Sequence, residues 1–94
     1  MKFYYTYILF NRPNGTLYVG VTGNLKRRIL QHKHKTHKGF TQRYNVTKLG
    51  YFEKFHKSLD AIIREKQLKA GNRKKKIQLI TSMNPTWQDL FYTL

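Results

Sequence analysis

The pair Asn14-Gly15 lies between two runs rich in aromatic and β-branched residues, 2–10 and 16–21. Asn-Gly accepts the positive φ angles of a tight turn, so the two runs are expected to fold back on each other as an antiparallel hairpin. In the first run Phe3, Tyr5, Tyr7 and Leu9 alternate with Tyr4, Thr6, Ile8 and Phe10. Successive side chains of a strand point to opposite faces. Both faces of this strand are apolar-rich, which predicts cover on both sides. In the second run Leu17, Val19 and Val21 share one face, and Tyr18 and Gly20 share the other. Thr22-Gly23-Asn24 breaks the strand and starts a helix, with Asn24 suited to the N-cap. From Tyr5 to Arg28 the chain thus supplies tyrosine hydroxyls, a turn with free backbone N–H groups and an arginine one turn into a helix. Brought together, these groups can hold a phosphate.

The helix is expected to run to about residue 34. Residues 35–45 are polar and basic, contain Gly39, and read as a loop. Residues 47–56 alternate as a third strand. Ser58 can cap a second helix over 59–70, with Asp60 favourably placed in its first turn and Gly71-Asn72 at its end. The basic run Arg73-Lys74-Lys75-Lys76 then leads into a short helix over 77–83, stopped by Asn84-Pro85. A last turn over 87–92 is expected to dock on the core. No internal repeat or linker divides the chain, and 94 residues fit one domain, 1–94.

Charge narrows the class of partner. With 19 Lys and Arg against 4 Asp and Glu, the formal charge is +15, a field that draws polyanions. Nucleic acid is the expected partner. An anionic membrane surface would require a basic amphipathic helix with aromatics on its apolar side. The aromatics, 15% of the chain, instead fall mostly in the strand-like runs, and they also argue against a disordered basic tail. The chain contains no Cys, which excludes disulfides, thiolate chemistry and cysteine-based zinc sites. Residues 1–10 are too short and too tyrosine-rich for a secretory signal, and no run reaches transmembrane length. The expected location is cytoplasmic, and the oligomeric state is left open.

On the first helix, Leu25 and Ile29 mark the inward side at 100° per residue. Arg28 and His32, one turn apart, fall at the edge of that stripe, where a cleft would be, while Lys26, Arg27 and Lys33 point further toward solvent. A solvated arginine with a packed stem is the plainer reading of Arg28. On the second helix Glu65 falls within the arc of Ala61, Ile62 and Leu68. A carboxylate on an apolar face must be paired or metal-bound. One reading is a Mg²⁺ ligand completed by water and phosphate; the other is an ion pair with Arg28 or a nearby lysine. Tyr5, Tyr7 and Tyr18 are ordinary sheet residues unless nearby positive charge or metal lowers a phenol enough to act as a base. His32, His34, His37 and His56 form no clean metal pair on one helix face, and neither a P-loop nor a Ser/His/Asp set is present. Arg73, Lys74, Lys75 and Lys76 read as phosphate-contacting or solvated surface.

Across nearly its whole length the chain resembles the GIY-YIG nuclease domain, in particular small stand-alone bacterial proteins related to the nuclease domain of the excinuclease C subunit. Tyr5-Thr6-Tyr7 and Tyr18-Val19-Gly20 stand at the two signature motifs, and Arg28, His32 and Glu65 match the family's arginine, the residue one turn on, and its metal-binding glutamate. The run Asn84 to Leu90 resembles the same small branch. The first motif begins with Tyr5 where the family has Gly, Val21 follows Gly20 where some relatives carry a lysine, and Asn84 is the candidate for a late family asparagine. The resemblance implies an α/β (α+β) fold, a three-stranded antiparallel sheet flanked by helices. It further implies a metal-dependent endonuclease that hydrolyses DNA phosphodiester bonds with Mg²⁺ or Mn²⁺, with repair or recombination as its setting. Catalytic roles then fall to Tyr7, Tyr18, Arg28, His32 and Glu65, with Glu65 as metal ligand. Lys26, Arg27, Lys33 and Arg73–Lys76 would contact nucleic acid, with Tyr5, Gly20 and Asn24 shaping the motif. The rivals are a non-catalytic nucleic-acid-binding module of the same fold and a small RNA- or ribosome-associated basic protein.

Overall fold

The hairpin forms as expected in the computed structural model, which describes residues 2–34 and 39–94. Strand β1 (Tyr4–Phe10) pairs with β2 (Leu17–Thr22), from Phe10 opposite Leu17 at the turn to Tyr5 opposite Thr22. At the turn it is Asn14 that takes the left-handed conformation, at φ 57°. Gly15 is needed for space, since a Cβ there would sit 2.2 Å from Asn11 Oδ1 and 2.9 Å from the Arg12 carbonyl. The turn is not a cradle of free donors: Gly15 N donates to Arg12 O and Thr16 N to Asn11 Oδ1.

Helix α1 (Leu25–Lys33) follows, capped by the Asn24 side chain, which accepts from Arg27 N at 3.1 Å. A single helical turn, α2 (Phe40–Arg43), replaces part of the loop expected over 35–45, and residues 35–38 of that stretch lie outside the described residues. Strand β3 (Lys48–Phe55) pairs antiparallel with β1, giving the order β2-β1-β3. Helix α3 (Ser58–Ala70) has Lys57, not Ser58, at its N-cap, without a side-chain capping bond. Helix α4 (Arg73–Met83) begins four residues earlier than the sequence suggested. Asn72 caps it by accepting from Lys75 N, so the basic run is the first turn of the helix rather than a lead-in. The chain closes with a 3-10 turn, Leu90–Thr93.

The alternation in β1 sets the two-sided core. On one face Tyr7 and Leu9 pack with Leu25 and Ile29 of α1 and with Val46 and Leu49, under Leu90 and Phe91 of the closing turn. On the other, Ile8 packs with Val19, Tyr51, Leu68 of α3 and Ile80 of α4. Each such aliphatic side chain contributes about 1.5–3 kcal/mol by leaving water. Thr6 also faces α3, and its hydroxyl donates to the Ala61 carbonyl at 2.7 Å, which satisfies a buried polar group and fixes the helix along the sheet. No helix among the described residues is long and apolar enough to cross a membrane.

Candidate functional site

The site is built on one pair of the hairpin ladder, Tyr7 opposite Gly20. The Tyr7 ring lies across the bare backbone of Gly20. A Cβ there would come within 2.4 Å of the phenol carbon and its oxygen. Tyr7 is only 1% exposed, and its hydroxyl meets His32 Nε2 at 3.3 Å. His32 in turn holds Thr41 Oγ1 through Nδ1 at 2.9 Å. Tyr18 packs its ring on His32, with centroids 5.6 Å apart, and on Phe40 at 6.2 Å. The helical phase of α1 placed His32 at the rim of a cleft. It is instead 1% exposed, because α2 brings Thr41 over it.

Two opposite charges act on the Tyr7 phenol. Burial pushes its pKa well above the ordinary 10; the neighbouring Tyr18 and the carboxylate of Glu65 push the same way, while the Arg28 guanidinium pulls it down. Tyr7, Tyr18 and His32 are in contact, the charges of Arg28 and Glu65 both act on the phenol, and Tyr7 is a neutral phenol at neutral pH. Arg28 is half-buried and donates to Gln31 Oε1 at 3.3 Å. Glu65 sits between Ala61 and Leu68, the buried anchors of α3, with its side chain 15% exposed and paired to Lys69 one turn on at 3.1 Å. The nearby lysine of the two ion-pair readings is thus Lys69, not Arg28. Ile62, expected inward beside Glu65, is exposed.

The four carboxylates divide clearly. Asp89 pairs with Lys33 and accepts from Leu49 N and Phe91 N. Glu53 is held by Arg64 and Tyr51, and Asp60 lies in the first turn of α3. Glu65 is the one whose charge bears on Tyr7. Among the described residues no group of three or more His, Asp or Glu could cage a metal. A single hard carboxylate, tethered only to an exposed lysine, suits Mg²⁺, which keeps several waters and takes phosphate oxygens as ligands.

Several expected nucleic-acid contacts are used elsewhere. Lys33 does not point to solvent: its ammonium is bound to Asp89 and to the Thr47 carbonyl and lies over the Phe91 ring. Arg73 donates to the Asn14 and Gly15 carbonyls and clasps the hairpin turn. Asn84 is buried, with its amide on the Gln88 carbonyl, and serves the fold. Lys26, Arg27, Lys74 and Lys75 are exposed, and Lys76 lines a shallow cleft with Tyr18, Phe40 and Lys69. The residues that sequence reasoning missed are Thr41 and Phe40, hidden in a stretch whose polar composition reads as a loop.

Comparison with known proteins shows the family and the fold. The family model for the GIY-YIG catalytic domain matches residues 3–78. The chain belongs to the GIY-YIG family. It is 38% identical to a UPF0213 protein of Clostridium perfringens over 83% of each chain. It is 31% identical to a UPF0213 protein of Staphylococcus saprophyticus, over 86% of this chain and 98% of the relative. The solution NMR structure of a UPF0213 protein from Bacillus halodurans has the same fold, with a TM-score of 0.56 and 26% identity over 93% of this chain and 92% of that one. The three-stranded sheet with flanking helices is thus the GIY-YIG architecture of the UPF0213 proteins. The signature motifs occupy the facing strands β1 and β2, whose register sets Tyr7 against Gly20.

Proposed function

We propose that this GIY-YIG chain is a divalent-metal-dependent endonuclease that hydrolyses phosphodiester bonds in DNA. The observation that carries the reading is the buried Tyr7–His32 contact over the bare backbone of Gly20, with Tyr18 packed on His32 and the charges of Arg28 and Glu65 both acting on the Tyr7 phenol. Glu65 would hold Mg²⁺ or Mn²⁺, and the ion would supply positive charge that polarises the scissile phosphate and stabilises the leaving oxygen. Arg28 neutralises charge that grows on the phosphate in the transition state, where a fixed cation in a partly dry site acts most strongly. Tyr7 takes the proton of the attacking water. In the tautomer whose Nδ1–H donates to Thr41, His32 Nε2 accepts the Tyr7 hydroxyl proton as Tyr7 takes one from water, so the proton passes through Tyr7 into the core. Tyr18 flanks the phosphate and packs on His32, which holds the ring in place.

The raised affinity of Tyr7 for its proton favours a second reading, a module that binds nucleic acid without cutting it. The two separate in one assay: branched, single-stranded and duplex DNA incubated with Mg²⁺, Mn²⁺ or EDTA. Metal-dependent nicking is expected. Arg28→Ala and Glu65→Gln should each lower it by about a hundredfold or more with the circular-dichroism spectrum unchanged. Full activity in either variant would remove the assigned roles, and salt-sensitive binding without nicks under every condition would establish the module.

A further inference from the structure

Beside the Tyr7 site lies an open groove of about 1080 Å³, where the start of β1, the end of β2 and the first turn of α1 meet. That exceeds the roughly 300–1,000 Å³ of most small-molecule pockets. Four cations line it, Lys2, Lys26, Arg27 and Lys54, all exposed. Among the described residues none of the four joins an ion pair, since the acids of the pairs serve Lys33, Arg64 and Lys69. Among the described residues no Asp or Glu lines the groove, and Leu94, the last residue of the sequence, stands at its edge. Its floor is aromatic: Phe3, Tyr5 and Phe52 are half-buried there, with Tyr5 edge-on to Phe52 at 6.4 Å. Lys54 already lies over the Phe3 ring at 4.5 Å, so cation and ring face the same space.

Unpaired cations around an aromatic floor match the chemistry of a nucleic-acid strand whose bases are free to stack. A duplex hides its base faces and would use the cations alone. We propose that this groove binds a single-stranded segment of nucleic acid flanking the phosphate at the Tyr7 site. Its bases lie on Phe3, Tyr5 and Phe52, and its phosphates meet Lys26, Arg27, Lys54 and Lys2. Groove and site are contiguous. Tyr5 and Tyr7 share one face of β1, about 7 Å apart along the strand, and Arg27 precedes Arg28 on α1. The placement relative to a scissile phosphate rests on the nuclease reading, whereas the binding itself does not.

The test is fluorescence anisotropy of a labelled oligothymidylate in EDTA, with the full chain. The triple variant Lys26→Ser, Arg27→Ser, Lys54→Ser changes exposed side chains only, and Arg12→Ser, Lys57→Ser, Lys66→Ser removes the same charge from other exposed positions. The groove triple should bind at least about tenfold more weakly and lower the salt slope by about 2, at about 0.7 per single-strand phosphate contact. The control triple should stay within about threefold of wild type. An abasic strand of equal length should bind wild type at least about fivefold more weakly, the stacking share of one base. Equal losses in both triples would reduce the groove to bulk charge and overturn the proposal. So would equal binding of the abasic strand, or tighter binding of duplex with the same dependence on the groove residues. Because binding is read without metal, absence of cleavage by the wild-type protein would sink the nuclease reading and not the groove.

Discussion

Gly20 is the residue on which the candidate site turns, and its role is steric. Its φ is unremarkable for a strand, and what matters is that the Tyr7 ring occupies the space a side chain would take. Gly20→Ala would therefore displace the Tyr7 ring, which is buried and cannot swing to solvent. The expected cost is about 1–3 kcal/mol, as for other overpacked sites, read by urea denaturation. Cleavage should fall further than that loss of stability explains, because the hydroxyl leaves His32. A variant as active and as stable as wild type would show that the ring has another resting place. At this scale the sequence was informative where helical phase alone decides, as for Arg28 beside Leu25 and Ile29. It underestimated the burial of His32 because phase gives direction around one helix and says nothing of what closes over it. The covering residue, Thr41, lies nine positions on in a segment without periodicity.

Helix α4 shows where local rules compete. Arg73, Lys74 and Lys75 crowd the positive end of its dipole with positive charge, and its first turn holds no acid. Such a run reads as a connection, yet the helix starts there because Asn72 satisfies the Lys75 N–H and Arg73 is engaged by the hairpin turn. Capping and a tertiary contact together outweigh an unfavourable dipole. Two opposite outcomes follow. Asn72→Ala should destabilise the protein by about 1 kcal/mol, the usual value of a cap. Lys74→Glu should stabilise it by about 0.3–1 kcal/mol, less at high salt. Thermal melts at low and high ionic strength measure both, and a destabilising Lys74→Glu would mean that this lysine has a role in folding beyond its charge. By contrast α1 was readable from its start, because Asn24 caps a helix whose inward residues follow at once.

For the whole molecule, the alternation of β1 foretold a strand covered on both faces, since seven residues with apolar groups on both sides have nowhere to meet water. It did not foretell that β3 joins β1 rather than β2, because a third alternating strand can pair with either edge of a hairpin and only the helices decide. That order, β2-β1-β3, buries β1 centrally and with it Tyr7, while β3 carries Tyr51 against α3 and α4. Both phenols hold their protons more tightly folded than unfolded. Tyr51, buried and hydrogen-bonded to Glu53, is pushed up to about 12, and Tyr7 is raised as well, in each case chiefly by burial. A group whose folded pKa is raised contributes stability that is complete below its unfolded value, here 10, and lost as pH climbs through the folded value. Unfolding should therefore set in between pH 10 and about 12, with tyrosinate absorbance and loss of circular dichroism rising together. Tyr51→Phe separates the contributions. It gives up the bond to Glu53, worth about 0.5–1.5 kcal/mol or somewhat more with a charged acceptor, so it should be less stable than wild type near neutral pH. It also removes one proton whose release drives unfolding, so its stability should fall less steeply over the alkaline range. Parallel curves for the two proteins would place the alkaline transition in some group other than Tyr51.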